Sequence, residues 1–464
     1  MFRLFHMAET EGIAGALFAV DEVQGPPPRK PHVRSKRVFR AYGDGEFTSL
    51  NPGRELPADH VARAIKEGLL QLDLSFLELS YEDHGGIPYN PLPMLGILLL
   101  GYSMGITSER QLQESCLYDF RFIHVSDGYC PDDRTIGRFV RRLGSHLKPL
   151  WKAVNAASNR QQGSRKRRIG VDGTKLASAA APVKVTKQER ENAGEVSLDS
   201  TDPEAAFRKG RGGLVYGYNL QAIVDLDTHE VLYTEVVDDK CDRNQLEPML
   251  KAYLEVSEVA PEIIVADTGY DDGNALAACM ELGVEPIVPA QNSYAFWTVV
   301  DDEVMCPMGH AASVTQPKEE RGTKVIIHSV PESCCRDCIF RTECLGNSRR
   351  KTLTGPENGR LADRVLAAQR ARGPDGKQAM TDRKSHVEPF FGRIKWNKRT
   401  TRLRLRGKQG ARIALALFGL CETIARLGSQ LWDHFLLIFR PRNARQSIEV
   451  TIYVLSRANR LKAA

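Results

Sequence analysis

The chain has 464 residues, 42% of them hydrophobic and 26% charged, with a formal net charge of +6. Such a composition supports a large core divided among two or three structural units. It excludes a membrane-spanning class: no run approaches the roughly 18 consecutive apolar residues of a span, and the short Gly12 to Val20 stretch lacks the basic leader of a secretory signal.

Because the net charge is modest, its distribution carries more information than its sum. Basic residues cluster at Arg29 to Arg40, in "SRKRR" at 164–168, and from Arg383 to Lys408, a pattern suited to a polyanion. Of ten cysteines, Cys116, Cys130, Cys241, Cys279 and Cys421 are scattered, whereas Cys306, Cys334, Cys335, Cys338 and Cys344 cluster. Scattered thiols point to a reducing compartment, and the cluster points to metal rather than disulfides.

In chain order, residues 1–55 with "GPPPRKPHVRSKR" read as a flexible basic arm, since prolines forbid a long helix and charge opposes burial. Residues 56–158 read as an all-α unit. "DHVARAIKEGLLQL" sets Val61, Ala64, Ile65 and Leu69 on one helical face, and "NPLPMLGILLLGYSMG" predicts a helix buried all round and entered through prolines. Ser108 and Gln111 have capping-box spacing. A helix after Pro131 turns Ile136, Phe139, Val140 and Leu143 inward and Arg134, Arg138, Arg141 and Arg142 outward. Those arginines suit a groove-reading helix, or form a solvated face with no ligand. "NRQQGSRKRR" after Ser158 reads as a linker.

Beyond it the period changes to that of strands. "RIGVDGTKLASAA", "GYNLQAIVDL" and "EVLYTEVV" predict strands, "QLEPMLKAYLEVS" a helix, "EIIVAD" a buried strand, "NALAACMEL" a helix and "VEPIVPA" a last strand. This is a mixed α/β order around one sheet. Pro203 to Gly213 reads as a surface loop, residues 291–350 as a Cys-rich insertion, and "ARIALALFGLCETIARLGSQLW" as a helix packed on the sheet.

Asp172 in "IGVDGT" and Asp267 in "IIVADTGY" each close an apolar strand and precede turn residues, where sheets present functional groups or where an Asp simply caps a turn. Glu388 is the single carboxylate in "RKSHVEPFFGRIKWNKRTTRLRLRGK", among ten Lys and Arg, so a helix of interspersed salt bridges is excluded. It is either a stray helix-start acid or one working carboxylate in a nucleic-acid surface. Two Asp and one Glu suffice to hold a pair of divalent cations for in-line phosphodiester cleavage. Lys384, Arg393, Lys395, Lys398 and Arg399 would then hold the phosphate backbone beside them.

In that order, "IGVDGTKL", "ADTGY" and "HVEPFFGRIK" resemble the three acidic motifs of bacterial insertion-sequence DDE transposases with an RNase H-like, retroviral-integrase-like core, and "PDDRTIGRFVRRL" is similar to the helical domain that precedes such cores. The resemblance covers about residues 55–430. It implies a core in two parts, 165–290 and 351–435, a DNA-binding unit at 56–158, and a C-terminal tail at 436–464. It further implies Asp172, Asp267 and Glu388 as catalytic ligands of Mg²⁺ or Mn²⁺, strand cleavage followed by strand transfer, and double-stranded DNA at terminal inverted repeats as partner, along with target DNA. A homodimer on DNA and a cytoplasmic, nucleoid-associated location follow. The rivals are an RNase H-fold nuclease or resolvase without strand transfer, and a transposase-derived DNA-binding protein without catalysis.

The family's Tyr-Arg-Glu-Lys signature falls on Thr381, Lys384, Glu388 and Lys395, so Tyr is absent and Lys replaces Arg, with Arg383 as a neighbouring substitute. Pro389 and Gly392 set the question whether one helix carries both Glu388 and Lys395. His386 reads as an incidental surface residue, and Asp271 and Asp272 as helix caps. In the insertion, Cys306, Cys335, Cys338 and Cys344, with His310 nearby, suit a structural Zn²⁺ or form a set of reduced, partly buried thiols.

Overall fold

The computed structural model describes residues 52–81, 86–163, 166–180, 202–210, 213–290, 296–320, 323–356, 361–398 and 400–429. Nearly all of the expected arm, the Arg29 to Arg40 cluster, Arg399 and the 436–464 tail lie outside the described residues.

The first part of the chain forms helices α1 (Pro52–Glu55), α2 (Val61–Leu69), α3 (Ser75–Glu78), α4 (Pro91–Met104), α5 (Glu109–Tyr118), α6 (Phe120–Ser126), α7 (Asp133–Leu143) and α8 (Leu147–Gln162). Local chemistry explains the boundaries. Asn90 Oδ1 accepts from Leu92 N at 2.9 Å while Pro91 opens α4, and Gly105 ends it in the left-handed region at φ 78°. α4 is apolar on every side because every side is covered, from Pro91 to Ser103. Asp132 caps α7 at Thr135 N, 2.6 Å away, and Ile136, Phe139, Val140 and Leu143 are its buried face. Ser108 stands at the N-cap of α5 but its side chain makes no capping bond. The expected linker is largely absent, since α8 continues through Ser158 to Gln162 and a strand begins at Arg167.

That strand is β1 (Arg167–Ala177). It is followed by β2 (Ala206–Gly210), β3 (Gly213–Asp225), β4 (Val231–Val237), helix α9 (Leu246–Val256), β5 (Pro261–Val265), α10 (Gly273–Glu281) and β6 (Glu285–Ile287). β2 replaces the surface loop expected at 203–213 because Phe207 and Arg208 are buried against β3, with Arg208 donating to Gly217 O at 3.1 Å. These strands make one mixed sheet. β1 is antiparallel to β3 and parallel to β5, β5 is parallel to β6, and β2 and β4 take successive stretches of the outer edge of β3.

A separate small assembly follows. It comprises β7 (Thr298–Val300) with β8 (Glu303–Met305), a three-stranded sheet of β9 (Ser313–Glu320), β10 (Thr323–Ser329) and β11 (Thr352–Pro356), and the short helices α11 (Glu332–Arg336) and α12 (Arg341–Leu345). Its own core gathers Trp297, Val304, Val330, Cys335, Leu345, Leu353, Leu361 and Val365. The chain then returns to the main sheet through α13 (Leu361–Arg372), α14 (Pro374–Gly392), a π-helical turn Arg393–Asn397, and α15 (Gly407–Gly428).

α15 covers β4 as the sequence predicts, and it also packs on α2, α4 and α8. Its crossing with α2 is a backbone contact: a Cβ on Gly68 would lie 1.9 Å from Ile424 O, and one on Gly428 would lie 1.9 Å from Ala64 O. The consequence is a single hydrophobic core running from Leu56 in the first helices to Leu427 in the last. Among the described residues no single helix is long and apolar enough to cross a membrane.

Candidate active site

β1 lies in the middle of the sheet and carries Asp172. Its parallel register with β5 ends at Gly170 opposite Val265; two residues farther along come Asp172, in the middle of β1 and not at the strand end expected of it, and Asp267, two residues past the end of β5. The same two-residue step thus sets both acids where the pairing of β1 with β5 ends. Asp267 is extended, at φ −81° and ψ 176°, and its Oδ1 accepts from Gly269 N at 2.8 Å, which caps the turn Thr268–Tyr270. Asp172 Oδ1 accepts from Gly173 N at 2.7 Å.

Glu388 comes from α14, which runs unbroken from Pro374 to Gly392 with Pro389 inside it. The helix lies directly on β1 because Gly170 has no side chain there. A Cβ at that position would stand 2.8 Å from Val387 Cγ2 and 3.2 Å from Arg383 Cγ. Arg168 ties the start of this stretch down, pairing with Asp227 and, at 3.2 Å, with Asp382. Arg383, 5% exposed, reaches Asp172 Oδ2 at 3.2 Å and Glu388 Oε1 at 3.8 Å, so one guanidinium spans two of the three acids. Past Gly392 the π turn carries Lys395 back to the same strand, where its Nζ donates to Thr174 Oγ1, two residues beyond Asp172 and on the same face.

The electrostatics are those of a carboxylate excess. Burial raises the Asp172 pKa to about 6; Arg383 and the Gly173 amide oppose this, while the charges of Asp267 and Glu388 reinforce it. Asp172 thus senses both other acids. Behind the sheet, Tyr270 in the turn after Asp267 donates to Gln221 Oε1, and Gln221 in turn donates to Asp242 Oδ1 at 2.7 Å. Asp242 also accepts from Asn219 at 3.0 Å and from Lys175 at 2.9 Å. This buried network was not legible in the sequence, and it fixes the turn that bears Asp267.

The basic residues divide sharply. Lys384 is exposed on α14 and Lys395 lies at the acids, but Arg393 and Lys398 turn inward. Arg393 makes 3.0 and 2.6 Å bonds to Glu422, and Lys398 stands 3.5 Å from the same carboxylate with a side chain 2% exposed. Both were expected to hold phosphate, and their charge is instead neutralised within the core, as Glu422 on α15 would otherwise be a bare buried anion. In the cluster at 164–168, Arg167 likewise turns inward: it is 1% exposed, hydrogen bonds Ser158 and Asn159 at 3.0 and 2.6 Å and stands 3.8 Å from buried Asp225, whereas Lys166 stays exposed. On α7, Arg138 and Arg141 are exposed, while Arg142 packs 3.7 Å above the Tyr81 ring.

His386 bonds the Asp382 carbonyl and packs on His229 at 3.8 Å between ring centroids, away from the acids. Burial, then the charges of His386, Arg426 and Arg393, bring the His229 pKa down to about 4. Asp272 is a helix cap, accepting from Asn274 N and Ala275 N, each at 3.1 Å. Asp271 is not; it forms a buried bidentate pair with Arg364 at 2.7 and 2.8 Å.

Comparison with known families decides the broader question. Residues 305–427 match the family described as Transposase DDE domain, and residues 47–142 match the Transposase domain (DUF772). Both matches support an insertion-sequence DDE transposase. The DDE match implies a DNA substrate and nuclease or transposase activity in general, and that family generally uses a divalent metal. The DDE match spans Glu388 and the cysteines and leaves out Asp172 and Asp267, which rest on the geometry above. Among curated proteins no match to this chain was found.

Its donor atoms can be tested against metal. Three carboxylates, one of them buried enough to hold a proton near pH 6, form a hard-oxygen set whose negative charge one guanidinium only partly balances. That chemistry fits a divalent cation. In the small assembly, Cys306, His310, Cys334, Cys335, Cys338 and Cys344 line one pocket with Met308 and Phe340. Burial raises the Cys344 thiol pKa; Lys351 opposes, and Cys335, Cys338 and Cys306 add to the rise, so each of these three sulfurs lies near that of Cys344. Still, among the described residues no three His, Cys, Asp or Glu side chains converge as a metal cage, at the acids or at the thiols.

Proposed function

We propose that this transposase cleaves DNA at the ends of its insertion sequence and joins them to target DNA, with Asp172, Asp267 and Glu388 as the catalytic acids of an RNase H-like core. The observation that supports this reading is the proximity of three chain-distant acids: Asp172 on β1 feels the charges of Asp267, just past the end of neighbouring β5, and of Glu388, which Arg383 bridges to Asp172. The strand order β4-β3-β1-β5-β6, three antiparallel strands followed by two parallel ones, supports the RNase H-like assignment.

Asp172, Asp267 and Glu388 would hold Mg²⁺ or Mn²⁺, which activates the attacking oxygen and neutralises the leaving one. The chain's own residues do the rest. Lys395, beside Asp172, orients the scissile phosphate, and exposed Lys384, on the helix that carries Glu388, grips the adjoining backbone. Both charges also offset the repulsion between the acids and DNA. The helices of 56–158 supply end recognition, with Arg138, Arg141 and Arg142 of α7 on the duplex. We further assign a structural Zn²⁺ to Cys306, Cys335, Cys338 and Cys344, a homodimer that handles two inverted-repeat ends together, and a cytoplasmic location at the nucleoid.

The test is incubation of the full chain with Mg²⁺ and linear DNA bearing the element's terminal inverted repeats. Nicked and then joined products are expected, and Glu388→Gln should remove both while leaving DNA binding intact. Nicking without joining would make the protein a nuclease, binding alone a derived regulator, and cleavage surviving Glu388→Gln would dismiss the three acids.

A further inference from the structure

We infer that Arg383 is a tethered cation standing between Asp172 and Glu388 in the place of a divalent metal, so that the resting protein keeps its metal site closed and loading requires the guanidinium to turn away. This rests on the reading of the three acids as metal ligands.

The contrast with other buried arginines of the same molecule carries the argument. Arg393 grips Glu422 with bonds of 3.0 and 2.6 Å, and Arg364 grips Asp271 with bonds of 2.7 and 2.8 Å, each using the paired N–H fork on one carboxylate. Arg383 does neither. Its contacts fall on two different acids at 3.2 and 3.8 Å, and its Nε and Nη1 make no hydrogen bond to the described residues, although the side chain is only 6% exposed. A buried guanidinium left this poorly satisfied is held by charge rather than by directed bonds. Charge is what a divalent ion would supply more strongly at the same point, and the oxygen atoms that Arg383 contacts are the ones a metal would need. With Arg383 in this position, the acids form no closed cage among the described residues. The freed side chain, rooted five residues before Glu388 on α14, would then be available to a DNA phosphate, for which its planar fork is suited.

A purely structural Arg383 would lower stability when removed and leave metal affinity unchanged or weaker. The experiment therefore measures Mn²⁺ binding to the full-length protein without DNA, by calorimetry and by the electron paramagnetic signal of free Mn²⁺. Arg383→Gln is expected to bind Mn²⁺ about tenfold more tightly than the wild type, as removal of a closed state populated about nine parts in ten would produce. Free guanidinium chloride at millimolar concentration should compete with Mn²⁺ in Arg383→Gln and not in the wild type. Should Arg383→Gln fail to fold, Arg383→Lys decides, because an ammonium cannot span two carboxylates as the fork does; tighter Mn²⁺ binding than wild type supports the inference and equal affinity overturns it. Asp172→Asn separates the two levels. If no protein binds Mn²⁺ in a manner that Asp172→Asn removes, the metal reading itself falls. If such binding exists and Arg383→Gln does not tighten it, only the tethered cation falls.

Discussion

Replacing Glu422 by Leu probes a buried electrostatic lock of one carboxylate among several cations. The carboxylate is 2% exposed and accepts two bonds from Arg393, with Lys398 at 3.5 Å and Arg426, 7% exposed, adding its charge. Leu leaves those cations buried without their anion, and removing one partner of a buried pair costs about 3–5 kcal/mol. Urea unfolding of Glu422→Leu should show a loss of that size, whereas Glu422→Leu combined with Arg393→Met should recover part of it. Acid adds a second reading. Burial works against this carboxylate, but Arg393, Lys398 and Arg426 outweigh it and hold its pKa below the ordinary 4.5. Its contribution is therefore present above pH 4.5 and lost as pH falls through the depressed folded value, so the gap between wild type and Glu422→Gln should close on acidification. The same geometry predicts that Arg393→Gln lowers stability without flattening the salt dependence of DNA binding. A loss below about 1 kcal/mol for Glu422→Leu, or a DNA affinity that falls selectively with Arg393, would refute the assignment of these charges to the core.

Asp172→Asn should stabilise the DNA-free protein at neutral pH. A carboxyl raised from 3.8 to about 6 favours the fold while protonated and loses that advantage as pH rises through 6, a difference on the order of 2–3 kcal/mol before the loss of Arg383's partner is subtracted. Thermal midpoints of the two proteins should accordingly diverge as pH rises from the ordinary 3.8 to about 6 and stay parallel above it. Gly68→Ala drives a methyl into Ile424 O and should cost about 1–3 kcal/mol or more, read by denaturant unfolding, with α2 gaining early proteolytic sensitivity. Cys335→Ser with Cys338→Ser should abolish any stoichiometric zinc measured in the purified protein and lower its thermal midpoint; unchanged metal content would leave the cluster as reduced thiols.

Much of this architecture was readable from residue periodicity. The inward face of α7 and the buried, proline-led α4 emerged from local pattern, and so did the presence of β3 and β4, although both strands are covered on both faces and do not alternate in burial. β2 was not readable: its short charged segment is a strand only because β3 offers an open edge. Asp267 stands just past the end of β5 as expected, whereas Asp172 lies in the middle of β1, whose pairing with β3 carries the strand on to Ala177, and nothing local said that β1 and β5 would be neighbours in matching register.

By itself the sequence determined which side chains are apolar at helical or strand spacing, where the acids and cysteines fall, and the order of elements, since all of these are properties of adjacent residues. Tertiary structure alone decided which charges are available. Arg393, Lys398 and Arg167 look no different from Lys384 or Lys395 in one dimension, and they separate only when Glu422, Ser158 and Asn159 come within bonding distance from 8 to 29 residues away. The physical reason is that burying a charge is tolerable only beside a partner, and partners distant in the chain are chosen by packing, as when Gly170 lets α14 settle onto β1 and sets Arg383 between Asp172 and Glu388.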